Sequence, residues 1–209
     1  MLDAAQEYDF IHLATHGTGA TLLKDSLAAG LVLAEGDSLT AREIFKTLKV
    51  PRAYAVVLSA CETGMIRLDQ SDEYVGLPAA FLYAGAPAVV SSLWEVDDLA
   101  TALLLYRWYK HVIEEKMGRA TALKRAQLEV RDLTVAQLLL WLHELENNIV
   151  ARNKTSSSHE KAASYADQLK TVSALIAHYE KNYGENERSI CPFSSPWFWG
   201  GFILSGNAE

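Results

Sequence analysis

The stretch Tyr-Ala-Val-Val-Leu-Ser-Ala at Tyr54–Ala60 decides the fold class of this chain. Its apolar residues lack the polar alternation of a half-exposed strand, which predicts a β-strand buried on both faces, as in a parallel sheet. Phe10–Ala14 and Ala88–Leu93 are runs of the same kind, and a fourth apolar run, Phe198–Leu204, comes near the end of the sequence. These runs predict the strands of a core sheet.

Helical patterns separate the predicted strands. Thr40–Glu43 has the sequence of a capping box ahead of an apolar stripe, which predicts a short helix. Asp97 or Asp98 can cap a helix that we expect to run to about Met117 and to stop at Gly118. A further helix has one apolar face, formed by Ala122, Leu123, Ala126, Val130 and Leu133. The alternation of strands and helices predicts an α/β fold, a three-layer α/β/α sandwich with a mostly parallel sheet.

One segment is long enough to span a membrane. Gly76–Trp94 contains no charged residue, but Pro78, Gly85 and Pro87 interrupt it. We therefore predict a buried helix at about residues 78–84, a turn, and then a buried strand. No membrane partner is expected.

Two further segments complete the predicted organisation. Leu27 and Leu31–Leu33 are weakly apolar and predict a small hairpin. The composition becomes polar and charged from Glu144 to about Arg188, with the pattern of an amphipathic helix near its middle. We expect residues 1–209 to form a single domain with a charged helical excursion at about 144–190.

Composition limits the functional classes. The chain has 209 residues, of which 50% are hydrophobic and 22% charged, which is typical of a globular protein. Its net charge of -7 argues against direct binding of nucleic acid, because such binding depends on neutralising phosphates. The two cysteines, Cys61 and Cys191, are too few for a secreted disulfide scaffold, and no signal peptide is visible. A cytoplasmic location is expected.

Residues that can carry chemistry stand at the ends of two predicted strands. The first strand runs into His12–Gly17 and the second into Leu58–Gly64, which contains Cys61. Ligands of open α/β sheets gather at the carboxyl ends of the strands, where His16 and Cys61 can face each other. A histidine beside a cysteine lowers the pKa of the thiol or removes its proton during attack.

Each residue also has a common structural explanation. A cysteine after an apolar strand is often a small buried hydrophobe, and a histidine near a strand end is often a packed structural residue. The positions of His16 and Cys61 at strand ends, followed by Gly17 and Gly64, favour a site because glycine allows a substrate backbone to approach closely. The residues alone leave both explanations open.

The motifs resemble those of CHAT domains, caspase-like peptidases that are often fused to tetratricopeptide repeats. The resemblance covers about residues 8–143 and 192–206 and leaves the charged excursion unmatched. It rests on His12–Gly17, Ser59–Gly64, Gly76–Leu77, Phe81–Ala86, Val89–Val96, Ala122–Leu128 and Pro196–Leu204.

The resemblance implies a cysteine endopeptidase of the caspase, separase and gingipain group. His16 corresponds to the catalytic imidazole and Cys61 to the nucleophile. The backbone N–H groups of Gly17 and Cys61 would then stabilise the oxyanion of the tetrahedral intermediate. For His12, which lies inside the strand, a packing or orienting role is expected.

The resemblance also suggests where the substrate binds. The strand that ends at Ser91–Trp94 is similar to the one beside which related peptidases place the substrate as an extra antiparallel strand, so Ser92 and Trp94 are predicted to bind substrate. Asp98 resembles the acidic residue that recognises Arg or Lys before the cut in separases. The alternative for Asp98 is a helix cap.

The expected partners follow from the same resemblance. They are a protein or peptide substrate and an upstream helical-repeat region or regulatory partner, and the segment between Cys61 and Gly76 is a candidate for control. Related proteins act in bacterial defence and signalling. Only nine residues precede Phe10, where the family usually has a further strand, so we expect the chain to be the C-terminal portion of a larger protein.

Alternative functions remain at this point. The chain could be a catalytically silent caspase-like scaffold or interaction domain, or another α/β hydrolase with a thiol at a strand end. No Gly-x-Ser-x-Gly elbow or phosphate-binding loop is present. No cofactor or metal is expected, because His12 and His16 lie four residues apart on a strand and not on a helix.

Overall fold

The structure is a computed structural model and describes residues 4–18, 26–33, 36–59, 76–155 and 159–209. The chain forms two compact units, Met1–Val130 together with Ser195–Glu209, and Arg131–Ser194. The second unit contains the segment at about 144–190 that the sequence predicts to be a charged excursion.

The described residues form strands, α-helices and short 3-10 turns. The strands are β1 (Phe10–Ala14), β2 (Gly17–Thr18), β3 (Gly30–Val32), β4 (Ser38–Thr40), β5 (Ala55–Ser59), β6 (Ala88–Ser92) and β7 (Phe202–Gly206). The helices are α1 (Ala41–Thr47), α2 (Leu77–Tyr83), α3 (Asp98–Ile113), α4 (Arg119–Arg131), α5 (Val135–Thr155) and α6 (His159–Asn182). The 3-10 turns are Ala4–Glu7, Ser26–Ala28, Glu185–Glu187 and Pro196–Phe198.

The main sheet has the strand order β1-β5-β6-β7. Strands β1, β5 and β6 are parallel, and β7 runs antiparallel to β6. The predicted mostly parallel sheet is therefore confirmed. The fourth apolar run is shifted, because Pro196–Phe198 forms a 3-10 turn and the strand begins only at Phe202.

Helices cover both faces of this sheet. On one face, Ile44 of α1 and Phe81 of α2 belong to a buried cluster with Val56, Leu58 and Val89 of the sheet. On the other face, the aromatic rings of Phe10 and Trp108 of α3 meet edge to face at 6.3 Å. Burial of large apolar side chains on both faces is the main source of stability. The three-layer α/β architecture agrees with the sequence prediction.

A second, small sheet has the order β2-β3-β4. The predicted hairpin between Leu27 and Leu31–Leu33 is wrong, because Ser26–Ala28 forms a 3-10 turn and β3 pairs with β2 and β4 instead. The chain between β3 and β4 includes Gly36 with φ of 85°, a left-handed conformation that glycine adopts without steric cost.

Two helix ends can be compared with the sequence prediction, and one of them agrees with it. Thr40 and Glu43 form the predicted capping box, with Glu43 N donating to Thr40 Oγ1 at 3.2 Å and Thr40 N donating to Glu43 Oε2 at 2.8 Å. The predicted end of α3 near Met117 is wrong, because the helix ends at Ile113. Lys116 has φ of 56°, so it leaves the helical conformation before Gly118 is reached.

The second unit is built on α5 and α6. Ile149 of α5 and Val172 and Ile176 of α6 are buried, as expected for amphipathic helices. None of the helices in the described ranges combines the length and the apolar character needed to cross a membrane. Gly76–Trp94 folds as predicted, with α2, a turn at Gly85 with φ of 107°, and β6.

Candidate active site

The register of β1 and β5 places the carboxyl ends of these two strands, Ala14 and Ser59, side by side at the same edge of the sheet. The strands are parallel neighbours, and Ala14 lies opposite Ser59. In the sequence, His16 follows Ala14 by two residues and Cys61 follows Ser59 by two residues. Parallel neighbours are about 4.8 Å apart, so the chain leaves both strands at one point of the carboxyl edge. His16 is exposed there, whereas Cys61 lies outside the described residues.

The small sheet fixes the main chain at His16. Val32 N donates a hydrogen bond to His16 O at 2.9 Å, and the Thr15 hydroxyl donates to Val32 O. Residues of an antiparallel pair alternate between hydrogen-bonded and non-hydrogen-bonded positions. The next pair, Gly17 opposite Leu31, is therefore non-hydrogen-bonded, and the N–H of Gly17 points away from β3. This N–H therefore forms no hydrogen bond with β3.

His12 lies on β1 with its ring beside Tyr109 of α3. Its ring centroid lies 5.8 Å from that of Tyr109 on α3. Although much of its surface remains accessible, burial lowers the pKa of His12 below its ordinary value. Burial also raises the pKa of Tyr109 to about 12. Both rings are thus neutral near pH 7, which suits the packing role expected for His12.

Strand β6 has neighbours on both sides. Ser92 is buried and lies opposite Phe202 of β7, and Leu93 N donates to Gly201 O at 2.9 Å. A peptide therefore cannot add to β6 itself, and the expected substrate pairing is restricted to the chain beyond Leu93. Within the described part of the chain, the main-chain groups of Glu95 and Val96 make no hydrogen bond.

An aromatic pair stands beside this segment. The indole rings of Trp94 and Trp197 are stacked, with centroids 5.6 Å apart and planes inclined by 18°. Trp94 Nε1 donates to Trp197 O at 2.9 Å. The pair needs glycine at position 201, since a Cβ atom on Gly201 would lie 2.8 Å from the Trp94 ring. Trp197 is 57% exposed, so one face of the pair is available to a ligand.

The sequence analysis does not predict the contact between Trp197 and Trp94. The apolar run Phe198–Leu204 predicts a strand of the core sheet, and Trp197 directly precedes this run. The chain forms a 3-10 turn at Pro196–Phe198, and the ring of Trp197 stacks on that of Trp94. No local sequence pattern predicts this contact.

The two adjacent aspartates at the start of α3 have different roles. Asp97 is the N-cap, and its carboxylate accepts a hydrogen bond from Ala100 N at 2.9 Å. Asp98 is the first residue of the helix and is exposed. Because Asp97 supplies the cap, the carboxylate of Asp98 is not needed for that purpose. Glu95 is exposed as well, so the surface around Glu95–Val96 carries three acidic side chains, those of Glu95, Asp97 and Asp98.

These elements together form a candidate site at the carboxyl edge of the sheet. It combines the exposed imidazole of His16, the N–H of Gly17 that points away from β3, and the main-chain groups of Glu95 and Val96, which make no hydrogen bond to another described residue. Among the residues with described positions, no three His, Cys, Asp or Glu side chains come together as a metal site requires.

Comparison with known families agrees with this architecture. The family model of the CHAT domain matches residues 1–207. The search of curated proteins returned no match. CHAT domains are caspase-like and related to peptidases, which supports a hydrolase. Because the match spans nearly the whole chain, the protein belongs to the CHAT domain family.

Proposed function

We propose that this chain is a cysteine endopeptidase that uses Cys61 and His16 to cleave a protein substrate after a basic residue, under the control of a partner or signal. The register of β1 and β5 carries the proposal, because His16 and Cys61 follow the directly opposed residues Ala14 and Ser59 by the same number of positions. Membership of a caspase-like family supports the same pair.

The proposed reaction is acyl transfer. His16 takes the proton of the Cys61 thiol, and Sγ attacks the carbonyl carbon of the scissile bond. The oxyanion accepts hydrogen bonds from the N–H groups of Gly17 and Cys61. His16 returns the proton to the leaving amine, and a thioester remains on Cys61. A water molecule, deprotonated by His16, then hydrolyses the thioester. The reaction needs no metal or cofactor.

The direction of the Gly17 N–H supports this assignment. A glycine N–H within the ladder of the small sheet would already be bonded to Leu31, but the register directs it away from β3. A donor that is held by a sheet and points away from the partner strand is preorganised for developing negative charge.

The proposed preference for a basic residue rests on Asp98. Its carboxylate is exposed at the first turn of α3, and the cap is supplied by Asp97. A carboxylate pairs naturally with the guanidinium or ammonium group of a substrate. Trp94 and Ser92 belong to the same proposed substrate region. Ser92 would act there through the position of its backbone, because its side chain is buried. Control by a partner is carried over from the family resemblance.

Covalent labelling with peptidyl acyloxymethyl ketones tests the proposal. The Cys61 thiolate forms a thioether with the reactive methylene carbon, and the carboxylate leaves. We expect probes with Arg or Lys at the reactive end to label the protein once, and Cys61→Ala and His16→Ala to abolish this labelling. Cys191→Ala is the matched control and should label normally. Labelling of Cys61 no faster than Cys191 would contradict the peptidase and favour a catalytically silent interaction domain.

The pocket role is tested separately. Asp98→Asn and Asp97→Asn remove the same charge from adjacent positions, and asparagine retains the cap at position 97. We expect Asp98→Asn to reduce labelling by Arg probes at least tenfold relative to Leu probes, and Asp97→Asn to change this ratio much less. Equal effects of the two variants would show a general effect of charge and not a pocket.

A further inference from the structure

A cavity lies at the edge of the main sheet opposite the candidate active site. Its volume is about 470 Å³, and it is lined by Phe10 at the start of β1 and by Tyr54, which directly precedes β5. These residues are at the amino ends of the strands, whereas His16 is at the carboxyl end. The cavity, which we call the basic pocket, is thus separated from the candidate active site by the length of β1.

The basic pocket concentrates positive charge. Arg52, Lys116 and Arg119 line it, and Asp9 is the one carboxylate among the described residues that line it. The chain as a whole has a net charge of -7, so this local excess of cations runs against the average composition. Neither Arg52 nor Lys116 forms an ion pair with a residue of the described ranges. Among the described residues, two of the three cations therefore have no ionic partner, which favours binding of an anionic ligand.

Arg119 supplies a fixed charge. The residue is only 7% exposed, and its Nε donates to Tyr54 O at 3.0 Å while Nη1 donates to Glu209 O. Its guanidinium carbon lies 3.8 Å from the centroid of the Tyr54 ring, a cation–π contact. Within the described part of the chain, Nη2 makes no hydrogen bond. A buried, oriented guanidinium with a donor left over suits recognition of a planar or tetrahedral anion.

The backbone at Lys116 is strained. Lys116 has φ of 56°, a conformation that non-glycine residues rarely adopt. The loop that holds it begins where α3 ends, and Met117 N donates to His111 O at 3.0 Å just after it. Such strain persists where the surroundings impose it and is concentrated at functional sites. Here it accompanies a cationic side chain at the rim of the cavity.

The remaining wall is apolar. Phe10, Val112 and Ile113 line the pocket, and Ile113 is 46% exposed. An inorganic anion would leave this wall in water, whereas an anion with an apolar body would cover it.

We propose that the basic pocket binds a free small organic anion, a phosphate or carboxylate carried by an aromatic or aliphatic body no larger than a mononucleotide. The anionic group pairs with Arg52, Lys116 and the free Nη2 of Arg119. The apolar body rests on Phe10, Val112 and Ile113. This inference does not depend on the proposed peptidase activity, because the pocket contains none of its residues.

Titration calorimetry at low salt with phenyl phosphate, benzoate, inorganic phosphate and phenol tests the proposal. We expect phenyl phosphate and benzoate to bind saturably with dissociation constants below about 1 mM. Inorganic phosphate and phenol should each bind at least tenfold more weakly. Inorganic phosphate lacks the apolar body, and phenol lacks the anionic group. Absence of saturable phenyl phosphate and benzoate binding would overturn the proposal, and equal binding of inorganic phosphate would overturn the role of the apolar wall.

Variants localise the binding. Arg52→Gln and Lys116→Gln should each weaken phenyl phosphate binding roughly tenfold, as expected for loss of a charged hydrogen bond. Lys124→Gln, an exposed lysine of α4 that does not line the pocket, is the matched control and should have no effect. Lys116→Gly removes the cation and relieves the positive φ, so it should lose binding while its melting temperature stays equal or rises. Unchanged binding in Arg52→Gln and Lys116→Gln would show that the ligand lies elsewhere.

Discussion

The carboxylate of Asp97 accepts a hydrogen bond from the backbone N–H of Ala100 at 2.9 Å. This contact satisfies one of the unpaired donors at the start of α3, so the stability of the helix end depends on Asp97 and not on its neighbour.

The first prediction separates these two aspartates by stability. Asp97→Ala should lower the free energy of unfolding by about 1 kcal/mol, the usual cost of losing an N-cap. Asp98→Ala loses only a favourable interaction with the helix dipole, which we expect to cost about 0.3–0.5 kcal/mol. Urea unfolding followed by circular dichroism measures both. A larger loss for Asp98→Ala would show that the cap has been assigned to the wrong residue.

The second prediction concerns the aromatic pair. In Gly201→Ala, the new methyl group would lie 2.8 Å from the Trp94 ring, so the indole must move and the stack with Trp197 must open. We expect a change in near-ultraviolet circular dichroism and a stability loss of about 1–3 kcal/mol, as in overpacked sites. Gly184→Ala is the control, because its Cβ would meet only Glu187 Oε2, at 3.8 Å. Identical spectra for Gly201→Ala and the wild type would contradict the observed packing.

The third prediction concerns the titration of His12. Because burial against Tyr109 lowers its pKa, the ring should titrate below 6.5 in the folded protein. NMR titration of the imidazole protons measures this directly. Tyr109→Ala should move the pKa back toward 6.5, whereas Tyr109→Phe keeps the ring and should leave it nearly unchanged. A His12 pKa above 6.5 in the wild type would contradict the expected effect of burial.

The same histidine has a consequence for stability. Since its pKa is lower in the folded than in the unfolded chain, the unfolded chain takes up the proton first as the pH falls. His12 should therefore destabilise the fold as the pH falls from 6.5 to the folded pKa. His12→Gln should remove this part of the pH dependence, and unfolding curves at several pH values between these limits would reveal it.

The fourth prediction concerns the charged cluster between α3 and α4. Glu129 Oε2 lies 3.0 Å from His111 Nε2 and 3.0 Å from Arg107 Nη1, and its Oε1 accepts from Arg125 Nε at 3.1 Å. His111 also lies 3.1 Å from a carboxylate oxygen of Glu115. Burial raises the pKa of Glu129, but hydrogen bonds and positive charge from His111 and Arg107 outweigh it, and the pKa is lowered.

A lowered carboxyl pKa stabilises the fold above the unfolded pKa, and this contribution is lost as the pH falls through the folded value. The difference in unfolding free energy between the wild type and Glu129→Gln should therefore be largest near pH 7 and should shrink below about pH 4. Asp132→Asn is a useful contrast. Its partner Arg131 also lowers the pKa of Asp132, but the pair is exposed, so the effect should be small and removed by salt. A difference for Glu129→Gln that grows toward acid would refute this account.

The core strands were predictable because their signal is local. Ala55–Ser59 is a continuous apolar run, and the capping box at Thr40 and Glu43 is set by residues three positions apart. The pairing of β3 could not be predicted from a local pattern. Its partners are β2 and β4, and the residues of β3 itself do not specify them. The sequence prediction also failed at the end of α3, where the conformation of Lys116 overrides the signal of Gly118.

One part of the candidate site could be predicted from the sequence, and another part could not. The strand-end position of His16 follows from an apolar run and could be predicted. The hydrogen bond from Val32, the direction of the Gly17 N–H and the stack of Trp94 on Trp197 depend on contacts between distant segments, which no single sequence pattern contains. The role of Cys61 as nucleophile stays a prediction.

The position of β7 has a consequence for synthesis. It protects one edge of β6, yet Phe202 follows Ser92 by 110 residues. At roughly 5–20 residues per second, a ribosome needs roughly 5–20 s to make this stretch. During that time the edge of β6 on the nascent chain has no partner strand, and free edges are templates for intermolecular pairing. Chaperone demand during translation should therefore be greatest before Phe202–Gly206 emerges.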